Sequence, residues 1–173
     1  VKSGINVLAS PYRPEYAESI TGDQFSSVLN YLRRIYTYIV VDTATNLEDV
    51  TLAAIDLSDI VILLTTQDIP SIKNARLFLE LADVLNIDRS RILFVMNRFE
   101  KRIGITPEKI GDSFKQEIVA VLPEESRVVL PSINRGVPFM LGDKSRPIAR
   151  SYLTLTSVVR ERLAEVKPIS ETV

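Results

Sequence analysis

The stretch "YIVVDTA", residues 38–44, is an apolar, β-branched run that ends in a single carboxylate, Asp42. At the end of a buried strand, such a carboxylate can hold Mg²⁺, usually through water, beside nucleotide phosphates. It can equally cap the turn or helix that follows. A second apolar run, "ILFVMNR", ends in Asn97 and Arg98. The Asn97 amide offers both a donor and an acceptor, which matches the edge of a purine ring. An asparagine in a loop after a strand is also common on structural grounds alone. The chain has no His and no Cys. Imidazole acid–base work, thiol nucleophiles, disulfides and the usual zinc sites are therefore excluded, and any metal must be a hard cation held by oxygens.

These residues need strands to deliver them. Residues 38–41 read as a strand, as do residues 59–66 ("DIVILLTT"), 92–96 and 118–122. Residues 5–8 form a short apolar run. The following "ASPYRPEYAES" has loop character because of its prolines, and its Tyr12 and Tyr16 are candidate partner contacts or simple loop anchors. Helical spacing marks residues 24–35, through Phe25, Val28, Leu29, Leu32 and Ile35. Residues 47–57 read as a helix with Asn46 as N-cap and Glu48 and Asp49 at its positive end. Residues 70–85, opening on a proline, 106–114 and the amphipathic 144–166 are further helices, and "KPISETV" is a frayed tail. Residues 125–135 stay undecided: "VVL" favours a strand, the place in the chain favours a helix, and Pro131 opposes both.

Strands alternate with helices and are apolar on both faces, which predicts a parallel sheet covered on both sides. The 173 residues suffice for one domain with a core, and no linker or repeat divides them. In such sheets ligands bind beyond the carboxyl ends of the strands. That rule singles out Asp42 and Thr43, residues 65–68, Asn97 and Arg98, and Pro123 and Glu124. The net charge of −1 provides no field that would draw nucleic acid, so a DNA partner is not expected. The loop "NRFEKR" gathers Arg98, Lys101 and Arg102 as a basic patch that could touch phosphates, anionic lipid or a partner, with a simply solvated loop the favoured reading. No apolar run reaches membrane-spanning length, and a cytoplasmic location is expected. The chain opens on Val rather than Met, which reads as a fragment or a processed form.

The order strand–Asp, strand–Thr-Thr, strand–Asn-Arg, strand–Pro resembles the ParA/MinD family of P-loop ATPases. The matching text is "YIVVDTATNLEDVTLAAIDLSDIVILLTTQDIPSIKNARLFLELA", "ILFVMNRFEKRIGI" and "VAVLPEESRVVLPSINRGVP". The branch it most resembles is that of the CpaE/TadZ pilus-assembly (Flp/Tad) ATPases, through "ASPYRPEYAE", "DIPSIKNARLFL" and "NRFEKRIGI". The resemblance implies an α/β P-loop NTPase fold of the SIMIBI, ParA/MinD-like kind. By it, Asp42 corresponds to the Walker B acid that positions Mg²⁺. Thr43 and Ala44 open the switch over residues 43–46, where several relatives carry a glycine and this chain has "ATN". Asn97 corresponds to the adenine-reading residue, Arg98 to its neighbour, and Leu122 and Pro123 to the loop along the base. Gln67, Asp68 and Ser71 fall in a segment that faces the partner in nucleotide-sandwich dimers.

The phosphate loop, its lysines and the first strand of that family have no counterpart here and are expected upstream of residue 1. The resemblance thus implies the C-terminal two-thirds of a single domain whose complete form is a weak ATPase, with this chain alone not competent. It further implies ATP and Mg²⁺ as cofactors, a homodimer, pilus or secretion machinery as partners, and recruitment to the cell pole or the inner face of the membrane. Two alternatives stand beside it. One is a non-hydrolysing scaffold of the same fold. The other is a partitioning, division-site or flagellar-site ATPase.

Overall fold

The structure, a computed structural model, describes residues 4–10, 13 and 19–166. Tyr12, Tyr16 and the tail after Val166 lie outside the described residues. The chain forms two compact units, Val1–Ser58 and Asp59–Val173.

The first unit holds α1 (Gly22–Leu32) and α2 (Asp49–Leu57). Helix α1 starts two residues earlier than its apolar spacing suggests, because Thr21 and Gln24 form a reciprocal capping box. The α1 entry is tied to α2 by the Gly22 N–H, which donates to Asp49 Oδ2 at 2.7 Å. Contrary to the sequence expectation, Asn46 does not cap α2; its amide bonds Glu48 Oε1, and Glu48 occupies the cap position with no side-chain cap bond. The expected strand over residues 38–41 does not form. A strand needs a ladder, and no described segment pairs with this one. Tyr38 and Val40 are exposed, Val40 to 93 %. Residues 5–8 are likewise irregular and exposed.

The second unit is a three-stranded sheet of β1 (Val61–Thr65), β2 (Ile92–Phe99) and β3 (Ile118–Pro123), in that order and parallel. Helices α3 (Ile69–Val84), α4 (Pro107–Phe114), α5 (Ser126–Arg135) and α6 (Pro147–Val166) complete it. Alternation along β2 assigns the two faces. Phe94 and Met96 pack with Ala75 of α3 and Ile110 of α4. Val95 points the other way, onto Ala120, Leu122 and Ile148 of α6, with Val128 and Val129 of α5 alongside. Residues 92–96 are all buried, which is why "ILFVM" is apolar without a break. The architecture is α/β with a parallel sheet and helices on both faces, as the sequence predicts.

The undecided stretch is helix α5 with Pro131 inside it. Helical spacing sends Val128 and Val129 into the core beside Leu122, which a strand could not do for two successive residues. Gly136, at φ 61°, ends this helix in the left-handed conformation that glycine adopts without strain. Strand β2 runs three residues further than predicted, through Asn97 and Arg98 to Phe99, by way of a register shift.

Candidate functional site

In the first unit, Asp42, Thr43 and Ala44 follow each other in irregular, exposed backbone. Asp42 is exposed. No cluster of three acidic side chains exists among the described residues. A cation at Asp42 would therefore rely on phosphate oxygens and water for its other ligands.

In the second unit the carboxyl ends of all three strands carry the polar residues that the sequence singles out. The register of β2 against β3 breaks between Met96 and Phe99, and the residues in the break are Asn97 and Arg98. Arg98 lies at φ 53°, in the left-handed region. Such a bulge re-aims side chains at the rim of a sheet. Asn97 Oδ1 accepts the Arg98 N–H at 2.9 Å, which fixes the amide plane. One Oδ1 lone pair and the Nδ2 donors remain, which is the set that a purine edge needs. Arg98 Nε lies 3.5 Å from Glu124 Oε2. Pro123 pairs with Phe99 at the end of β3, and Leu122 buries its side chain in the core while its backbone reaches this rim. Asn97, Arg98 and Pro123 thus share the carboxyl rim of β2 and β3.

Two acids hold this rim together: Glu124, which the strand-end rule singles out, and Glu125, which sequence reasoning missed. Glu124 Oε1 accepts from the Ser126 N–H at 2.8 Å and from the Ser126 hydroxyl. Glu125 Oε2 accepts the Ile148 N–H at 2.9 Å, at the start of α6. A carboxylate at a helix N-terminus satisfies an orphan donor and opposes the positive end of the helix. "PEES" before an apolar run is the signal that could have revealed both.

At the end of β1, Asp68 caps α3 by accepting the Ser71 N–H at 2.8 Å, with Pro70 in the first turn. The Thr66 hydroxyl, and then the Ser71 N–H, hold the Asp68 carboxyl below its usual range. Ser71 Oγ in turn meets the Thr66 N–H at 3.0 Å and Thr65 Oγ1 at 3.2 Å. Gln67 is buried, 7 % exposed, and both ends of its amide are engaged: Nε2 donates to Ile105 O and Oε1 accepts the Glu100 N–H, each at 2.6 Å. Lys101 and Arg102 are exposed in the loop that this amide spans.

The amino ends of β2 and β3 carry a hollow of about 250 Å³ lined by Arg89, Gln116, Glu117 and Arg162. Its two arginines are engaged. Arg89 pairs with Asp83 and donates to Leu79 O and Phe114 O, and Arg162 donates to Ser90 O at 2.8 Å.

The α/β fold, a parallel sheet with helices on both faces, matches that of MinD and ParA-family ATPases of known structure. No family model matches the chain. It is 24 % identical over 148 residues to the septum site-determining protein MinD of Thermotoga maritima, covering 83 % of this chain and 54 % of that protein. A Synechocystis MinD is 22 % identical over 132 residues, covering 73 % and 48 %. Among solved structures, a ParA family ATPase from Chlorobium tepidum superposes with a TM-score of 0.76 at 21 % identity, covering 89 % of this chain and 62 % of that one. MinD of Pyrococcus horikoshii, solved with Mg-ADP, gives 0.71 at 22 % identity over 93 % and 65 %. MinD of Aquifex aeolicus gives 0.73 at 21 % over 82 % and 61 %. The chain spans about half the length of the curated relatives it matches.

Proposed function

We propose that this chain is part of an ATP-dependent, dimerising ATPase that positions cellular machinery. The observation that carries the proposal is the Asn97–Arg98 bulge, set beside Pro123 and Glu124 at the carboxyl rim of a MinD/ParA-type sheet. In this reading Asn97 reads the adenine edge, Arg98 and Pro123 flank the base, the Leu122 backbone lies along it, and Asp42 positions Mg²⁺. Thr43 and Ala44 begin the switch beside the phosphates. A phosphate-binding loop is required from outside residues 1–173, so turnover belongs to the complete protein. The segment 67–71, where Ile69 is 69 % exposed, faces a second copy across the nucleotide.

The cargo is read as pilus-assembly or secretion machinery, on the motifs "DIPSIKNARLFL" and "NRFEKRIGI". Division machinery is the alternative, because the curated relatives are septum-site proteins and one solved neighbour is a MinC:MinD complex. The working location is the cytoplasm, with recruitment to a pole or to the inner membrane face. No described helix is long and apolar enough to cross a membrane. A scaffold that no longer hydrolyses ATP is favoured by one feature, the sequence "ATN" where several relatives have a switch glycine.

The test is calorimetric titration of Mg-ATP into the protein expressed from its natural start, with Asp42→Ala and Asn97→Ala beside the parent. The reading expects the parent to bind. Asn97→Ala should weaken binding about tenfold, as expected for a lost base hydrogen bond. Asp42→Ala should remove the Mg²⁺ dependence. A parent that does not bind ATP would leave the scaffold reading in its place.

A further inference from the structure

Beyond the rim residues themselves, the peptide unit between Phe99 and Glu100 is held from both sides. Its carbonyl accepts the Glu124 N–H at 3.0 Å, at the end of β3. Its N–H donates to Gln67 Oε1 at 2.6 Å, at the end of β1. The β1–β2 ladder stops at Thr65 and Met96, so Gln67 supplies from a side chain the acceptor that a longer β1 would have supplied from its backbone. The residue just before this peptide unit is Phe99, and before that comes Arg98 at positive φ. A non-glycine residue in that region persists only where its surroundings over-determine it. The same Gln67 amide donates to Ile105 O, so one buried side chain fastens the loop 100–105 at both ends. Within the loop itself, Ile103 N–H bonds Glu100 O at 3.1 Å.

We infer that Gln67 is a positioning residue for base recognition: by pinning the Phe99–Glu100 peptide it holds the Asn97–Arg98 bulge in the geometry that reads a purine. The inference rests on the nucleotide reading of Asn97. It also gives the segment that leads into α3 a physical link to the base site, since Gln67 is followed directly by the α3 cap, Asp68.

Two substitutions separate the two hydrogen bonds. Gln67→Glu keeps an acceptor for the Glu100 N–H and loses the donor to Ile105 O. Gln67→Leu loses both at similar volume. Amide exchange is read by NMR on the 173-residue chain, and the preference for Mg-ATP over Mg-GTP is read on the protein expressed from its natural start. Exchange at Glu100 should quicken about tenfold or more in Gln67→Leu and stay near the parent rate in Gln67→Glu. The ATP preference should fall toward unity in Gln67→Leu and be largely kept in Gln67→Glu.

Unchanged exchange at Glu100 in a folded Gln67→Leu chain would overturn the clamp. Faster exchange with the parent's full ATP preference would make Gln67 merely structural and overturn the positioning role. A parent that does not distinguish ATP from GTP would overturn the reading of Asn97, and the positioning role with it. That last failure shows in the parent and the other two only in the variant.

Discussion

Arg98 carries a conflict between backbone and side chain that a substitution can expose. Its φ of 53° costs an ordinary residue on the order of 1 kcal/mol, and glycine avoids that cost. Its ion pair with Glu124, at 3.5 Å with the arginine two-thirds exposed, returns little. Arg98→Gly is therefore expected to leave stability within about 0.5 kcal/mol of the parent or to raise it, while Arg98→Val should lose about 1–2 kcal/mol. Urea midpoints at neutral pH decide it. A glycine variant that unfolds as early as the valine variant would mean that the arginine side chain, and not the bulge, sets the local energy. Deep in β2 the sign is not in question. Phe94 has no exposed surface and stacks on Phe114 at a centroid distance of 5.9 Å, so Phe94→Ala should cost about 3–5 kcal/mol.

Helix α5 is where packing overrides propensity most clearly. Pro131 removes one helical N–H and crowds the turn before it, yet the helix forms because Val128 and Val129 bury against Leu122 and Ile148. Pro131→Ala is expected to stabilise the chain, by at most about 3 kcal/mol. A thermal scan that moves upward confirms the direction, and a downward shift would show that Pro131 fixes the turn for a reason other than helix geometry. The same element marks the limit of sequence reading. The strands of the second unit were legible because each is apolar on both faces, and α3 and α4 because Pro70 and Pro107 sit beside capping side chains, Asp68 and Thr106. The strand over residues 38–41 was misjudged, since β-branched composition says nothing about whether a partner strand is present. The bulge at Asn97 and Arg98 was invisible as structure, because polar residues after "ILFVM" look like the end of a strand. No local pattern at Gln67 could reveal that its amide bonds a loop 33 residues later in the chain.

At the scale of the whole molecule, two properties follow from charge and from open edges. Asp68, Asp83, Asp88, Glu108 and Asp143 all titrate below their usual range. The causes are hydrogen bonds from Thr66 for Asp68, Arg89 for Asp83, Ser90 for Asp88, the backbone of Glu108 itself, and Ser145 for Asp143. A lowered folded-state pKa contributes stability that is complete above the unfolded value and is lost as pH falls through the folded one. Stability should thus be flat from neutral pH to about 5 and decline below about 4. Urea midpoints at a series of pH values test this, and Asp83→Asn should flatten the acid limb.

The second property is the outer edge of β1, which pairs with no strand among the described residues and leaves Ile62 44 % and Leu64 53 % exposed. An apolar edge of this kind recruits another chain, and a net charge of −1 opposes that only weakly. The 173-residue chain is expected to self-associate as its concentration rises. Replacing Ile62 and Leu64 together by Lys should return it toward a monomer in sedimentation equilibrium. Equal association of parent and variant would place the contact elsewhere.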